Sequence, residues 1–216
     1  MSDLNDLLHI LEESGTKTTP KQALILQAAV EIFAEKGYAS TSTSEIASRA
    51  GVAEGTIFRH YKTKKDLLIS IVTPVMARFT LPVFASHFIK EVFEKSPENL
   101  EELLKTLIKN RYHFVKDNAP LLKIMLQEVA FHEELQVQLQ TTFLQEVYPR
   151  FERVIEHYKQ QGIIVDFPSS SIIRMVMTTV IGLMVTRFIV APQLEWEDEI
   201  EIDRTVHFLL FGLSSQ

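Results

Sequence analysis

Helix punctuation, written three times between Thr19 and Asp66, constrains this chain more than any other feature. Thr19 stands as an N-cap, Pro20 takes the first helical position, where a missing N–H costs nothing, and Gln22 sits where it completes a capping box. Ile25, Ala28, Ala29, Ile32 and Phe33 then recur at three- and four-residue spacing, and Gly37 closes the helix. Ser42 opens a second helix with Glu45 reaching back; Ile46, Ala47 and Ala50 form a small apolar face, and Gly51 supplies the turn. A third helix is predicted from about Glu54 to Tyr61. A fourth starts at Thr63, with Asp66 as the acidic partner of its cap.

Strand signals are weak throughout: alternation is rare and hairpin turn pairs are missing, so the chain reads as all-α. Longer helices are predicted at about 64–93, 98–117, 119–131, 133–161, 169–190 and 196–213. Pro82 and Pro149 fall inside helical patterns and are expected to kink or interrupt them. The expected organisation is an N-terminal arm over 1–18, flexible or partly helical, a helix-turn-helix domain over 19–66, and a larger helical domain over 67–216. With 216 residues and 46% hydrophobic content there is enough apolar material for a buried core. Cysteine is absent, which removes disulfides and thiolate chemistry and fits a cytoplasmic setting. Residues 1–18 lack a basic start followed by an apolar run, so no signal peptide is expected. Ile172 to Ala191 resembles a membrane span, but Arg174 and Arg187 bracket an uncharged stretch shorter than the roughly 20 residues a span needs. A buried helix and no membrane partner are expected there.

The net charge of −6 argues against nucleic acid only as an average. From Thr16 to Ser70 there are eight Lys/Arg against five Asp/Glu, so the punctuated segment is basic while the rest is acidic. A basic head on an acidic body can bind phosphates with one end. A recognition helix needs small residues where the backbone approaches the groove, then long polar side chains for base edges. Gly55 and Thr56 supply the first and Arg59 the second. Thr56, Arg59 and His60 share one helical face, with Ile57 and Tyr61 on the other. Lys64 and Lys65 occupy the first turn of the fourth helix, where the dipole disfavours cations by about 0.3 kcal/mol or more each, so something negative nearby is expected.

The run GYASTSTSEIASRAGVAEGTIFRHYKTKKDLL resembles the N-terminal DNA-binding domain of the tetracycline-repressor (TetR) family of bacterial transcriptional regulators. The likeness extends from Lys21 to Leu68. It implies an all-helical homodimer with a three-helix reading head and a ligand-binding body. On matching positions it implies that Thr43 contacts phosphate and Ser44 lies near bases, that Glu54, Gly55, Thr56 and Arg59 face the major groove, and that His60 and Lys64 touch the DNA backbone; Lys65 beside Lys64 is counted with the expected DNA-binding residues. Phe58 stands where the family usually has tyrosine, so a hydroxyl contact is lost and the ring is left to pack. Ala53 replaces a common capping serine, at a cost of about 1 kcal/mol. Glu54 has two readings: an acceptor for cytosine, or a solvated glutamate that favours the start of a helix.

In the body, Met175, Thr179, Gly182 and Leu183 on one helix, with Phe208 and Phe211 on the last, are the expected dimer interface by the same resemblance; plain monomer core is the alternative. Two heads would then meet a palindromic operator. Arg111, Tyr112, Phe114, Met125, Phe143, Tyr148 and Met177 are the candidate effector pocket, joined by Phe131 and Phe151, and their mix points to a small hydrophobic or amphipathic ligand. No catalytic or metal residues and no cofactor are expected, and the chain does not read as an enzyme: His132-Glu133 lacks the second histidine of a zinc protease. The expected function is a ligand-released repressor. A helical dimer acting as a protein-interaction or cell-architecture factor is the alternative.

Overall fold

A computed structural model describes residues 18–80 and 100–213. The expected N-terminal arm and the Pro82 kink lie outside the described residues. Those residues are helical, with no strand among them. The helices are α1 (Pro20–Lys36), α2 (Thr43–Ala50), α3 (Glu54–His60), α4 (Lys64–Thr80), α5 (Leu100–Asp117), α6 (Ala119–Val129), α7 (Glu133–Thr142), α8 (Tyr148–Gln160), α9 (Ser169–Val185) and α10 (Asp198–Leu213).

The boundaries follow the punctuation. Thr19 accepts from the Gln22 N–H at 3.3 Å while the Gln22 side chain accepts from the Thr19 N–H at 3.0 Å, which completes the box. Ser42 accepts from the Glu45 N–H, and Gly51 ends α2 at φ +66°, the left-handed conformation glycine adopts without a Cβ penalty. Thr63 and Asp66 cap each other reciprocally, at 3.0 and 3.1 Å. Pro149 interrupts its helix: it has no N–H for the Gln145 carbonyl, and a wider π-helical turn over Phe143–Val147 leads into α8. Pro74 lies within α4, where its missing N–H withdraws a bond from the Ser70 carbonyl. A second π-helical turn, Thr186–Val190, extends α9.

The chain forms two compact units. The first holds the described residues up to Phe79 together with Asp117–Gln140. Its core combines Ile25, Ile32 and Phe33 of α1, Ile46 of α2, Ile57 of α3 and Leu67, Leu68 and Ile71 of α4, each at most 1% exposed. Helix α6 packs against α1, and Lys123 donates to the Ala34 carbonyl. The second unit contains Leu100–Lys116 and the described residues from Thr141 onward. There α8 packs on α9 and α9 on α10, while ion pairs from Lys105, Lys109 and Lys116 to Asp203, Glu199 and Asp198 lay α5 beside α10. Ser169–Val190 has the length and composition of a membrane span. However, Arg174 is exposed and Arg187 pairs with Asp198 at 3.0 Å, while Ile172, Ile173, Val176, Val180 and Met184 are buried.

Candidate nucleic-acid interface

Helices α2 and α3, joined by the Gly51 turn, form a helix-turn-helix anchored from below by Ile46, Ala47 and Ile57. Because Ile57 is fully buried, the opposite side of α3 faces outward, and there Gly55 and Arg59 lie exposed between Glu54 and Phe58 on one flank and the half-buried Thr56 on the other. Among the described residues a Cβ at Gly55 would meet nothing within 4 Å, so no packing there requires its smallness, which leaves the backbone open to an approaching surface. Ala53 makes no side-chain cap, as its methyl dictates. Phe58 is 47% exposed: the ring is not packed into the core but stands on the outward flank.

The Thr43 hydroxyl donates to a Glu54 carboxylate oxygen at 2.6 Å, joining the starts of α2 and α3. Ser44 is exposed, its hydroxyl 3.0 Å from that of Ser42. His60 is half-buried beside Tyr61. Tyr61 is pushed up from the usual phenol range by burial, against a hydrogen bond with Ser70.

The two lysines at the start of α4 have partners inside the first unit. The Lys64 ammonium donates to the carbonyls of Tyr38 and Thr41, at 2.8 and 2.6 Å, and lies 4.3 Å from the centre of the Tyr38 ring. Burial lowers its pKa from the ordinary lysine value. Lys65 pairs with Glu134 of α7, and that hydrogen bond raises its pKa. The cost of two cations in a first turn is thus offset within the chain, without a phosphate. Elsewhere in the head Arg49 pairs with Glu31 and Glu35, and Lys36 with Glu45. Among the described residues, Arg59 and Lys62 have no acidic partner. Lys62 lies in a turn, outside any helical face, so helical spacing does not single it out.

The expected pocket residues divide between the units. Met125 is buried in the first; Arg111, Tyr112, Phe114, Phe143, Tyr148 and Met177 belong to the second. Arg111 is buried and donates to Asn110, with its guanidinium 5.3 Å from the Phe114 ring. Tyr112 packs on Phe188, its centroid 5.0 Å away; burial, then the Asp198 carboxylate, drives its phenol far up from the ordinary range. Phe143 and Tyr148 meet edge to face at 6.2 Å. Phe131 is 82% exposed and is no part of a core. In the expected dimer face, Gly182, Phe208 and Phe211 are exposed, while Met175, Thr179 and Leu183 are half-buried.

The helix-turn-helix is backed by buried side chains and presents an exposed glycine and arginine on the outward side of α3, with the exposed Lys62 in the turn that follows, an arrangement that a groove-reading helix requires. Residues 25–71 match the model for bacterial regulatory proteins of the tetR family, and the N-terminal domain of this chain belongs to that family. Over 60 residues the chain is 48% identical to the fatty acid metabolism regulator protein of Bacillus subtilis, a match covering 28% of this chain and 31% of the relative. The chain matches less than half the length of such curated relatives. The fold as a whole is similar to that of the TetR-family regulator PfmR of Thermus thermophilus, with a TM-score of 0.69 and 20% identity over 88% of this chain and 99% of the other. It is also similar to the transcriptional regulator FadR of Bacillus subtilis in complex with stearoyl-CoA, with a TM-score of 0.60 and 24% identity over 88% and 97%.

Proposed function

We propose that this chain is a cytoplasmic TetR-type repressor that binds a palindromic DNA operator as a homodimer and releases it on binding an amphipathic ligand. The observation carrying the DNA-binding half is the outward side of α3, where Gly55 and Arg59 are exposed over a buried Ile57. Arg59 reads base edges and Lys62, Lys65 and the remaining donor of Lys64 meet phosphates, with Ser44, Thr56, Phe58 and His60 bordering the contact.

The homodimer is supported by apolar surface exposed on α9 and α10 among the described residues. Among the described residues Phe208 and Phe211 are 66% and 70% exposed, Ile181 is 36% exposed, and a Cβ built at Gly182 would meet nothing within 4 Å. A self-complementary face of this kind fits a two-fold pair, which sets two reading heads on half-sites about one helical turn apart or a multiple of it.

For the ligand, a relative carries a fatty acid metabolism name and a similar structure holds stearoyl-CoA. Long-chain acyl-CoA is therefore the first effector to test, with Arg111 and Tyr148 among the polar handles and Phe114, Phe143 and Met177 among the apolar ones. A hundredfold loss of operator affinity requires only about 2.7 kcal/mol of coupling between the sites. The test is selection of bound fragments from genomic DNA, followed by titration of the complex with stearoyl-CoA and with free CoA. Enrichment of a palindrome that stearoyl-CoA alone displaces supports the reading. Enrichment of no sequence refutes its DNA-binding half, and a palindrome that no acyl-CoA displaces refutes its ligand half.

A further inference from the structure

Glu54 is an unusual occupant of a surface that must meet polyphosphate. It is exposed, and among the described residues it has no cationic partner; the group that holds it is the neutral hydroxyl of Thr43 at 2.6 Å. That length is typical of an O–H bond to a carboxylate. A threonine hydroxyl has one proton to give, and here it is given to Glu54. Thr43 therefore cannot also donate to a phosphate without releasing the carboxylate, and a phosphate diester offers no proton in return. A solvated glutamate that merely favours a helix start needs no such clamp from a neighbouring helix.

An ionised carboxylate is acceptor-only, so in the major groove it can bond only to the exocyclic amines of cytosine and adenine. Adenine presents its N7 acceptor beside the amine, which would face the second carboxylate oxygen unfavourably. Cytosine presents N4 beside a carbon-bound hydrogen. Resting on the DNA-binding reading above, we propose that Glu54 selects cytosine at one position of each operator half-site and that Thr43 is its positioning residue rather than a phosphate contact.

The test is selection from a randomised duplex pool by the full chain and by Glu54→Gln, Thr43→Val and Thr43→Ser, each checked by circular dichroism for an unchanged helical fold. The wild type is expected to enrich cytosine at one position per half-site by about tenfold or more over guanine or thymine. Glu54→Gln should lose that preference and shift toward adenine, which glutamine matches with both an acceptor and a donor. Thr43→Val should lose most of the cytosine preference, and Thr43→Ser, which keeps the hydroxyl, should retain it. Unchanged cytosine enrichment in Glu54→Gln overturns the proposal. So does a Thr43→Val chain that weakens on all sequences alike with its base preference intact, which is the behaviour of a phosphate contact. A folded wild type that enriches no duplex overturns the DNA-binding reading itself, and this proposal with it.

Discussion

Replacing Lys64 with methionine separates two roles that one lysine can play at this position. In the structure its ammonium bridges the carbonyls of Tyr38 and Thr41 and lies over the Tyr38 ring, tying the start of α4 to the turn between α1 and α2. Methionine keeps the unbranched stem and removes the charge. A hydrogen bond from a charged donor contributes about 1.5–3 kcal/mol, and the ring contact about 0.5–1 kcal/mol more. The Tyr38 carbonyl keeps a second donor, the Thr41 N–H at 3.2 Å, so it is not orphaned, and part of the loss is recovered by water at this partly open site. A net cost of about 2 kcal/mol follows, which for a domain of this size lowers the melting temperature by roughly 4–8 °C. The assay is thermal unfolding of the DNA-free chain followed by circular dichroism, with Lys62→Met as the control for an exposed lysine. Lys64→Met should melt several degrees below the wild type and Lys62→Met within about 1 °C of it, because exposed substitutions cost little. If Lys64→Met melts with the wild type and only DNA affinity falls, the internal bridge has no energetic weight and the reasoning fails.

Arg59→Ala should cost about 1–3 kcal/mol on the selected operator and relax base preference there, measured by competition between operator and random duplex; an equal loss on both would make Arg59 a phosphate contact. Phe208→Asp should break the homodimer, raising its dissociation constant by about thirtyfold or more if the ring is an anchor of the interface, as read by sedimentation; an unchanged dimer would place the interface elsewhere. Asp198 makes an acid prediction. Burial alone would raise its pKa from 3.8, but the nearby Tyr112 hydroxyl and the hydrogen bonds that Lys116 and Arg187 donate, at 2.9 and 3.0 Å, outweigh burial and hold it at about 2. A depressed carboxylate contributes stability that is fully present above the unfolded pKa and is lost as pH falls toward 2. Asp198→Asn should therefore be less stable at pH 7, by at most about 2 kcal/mol before solvent screening, with the difference shrinking below pH 4. Equal stability at pH 7 would refute this.

Local chemistry explains what the sequence made legible. Thr19 with Gln22, Ser42 with Glu45, Gly51, and Thr63 with Asp66 act over three residues or within one backbone angle, and each stands where the spacing places it. The outward side of α3 was legible for the same reason, since Ile57 alone decides which way a seven-residue helix turns. Longer-range contacts leave no such local signal. Lys64 meets carbonyls 26 and 23 residues away, and Lys65 an acid 69 residues away, so helical spacing suggested a need for negative charge but not that the chain itself supplies it. The association of α6 with α1 is equally non-local. The apolar pattern runs on through Pro74, and the π-helical turn at Thr186–Val190 has no proline to announce it. The body resists for a different reason. Aromatic residues that pair with each other, such as Phe143 with Tyr148, have the same spacing whether they fill a core or line a cavity.

The central claim is that two copies of this head grip duplex DNA through its phosphates. The most direct measurement is the affinity of the full chain for a genomic fragment it selects, determined as a function of salt. If a dimer neutralises about 8 phosphates, the logarithm of the association constant falls with the logarithm of salt concentration at a slope near −7. A slope near zero, or affinity that does not distinguish the selected fragment from random duplex at any salt, would contradict the account.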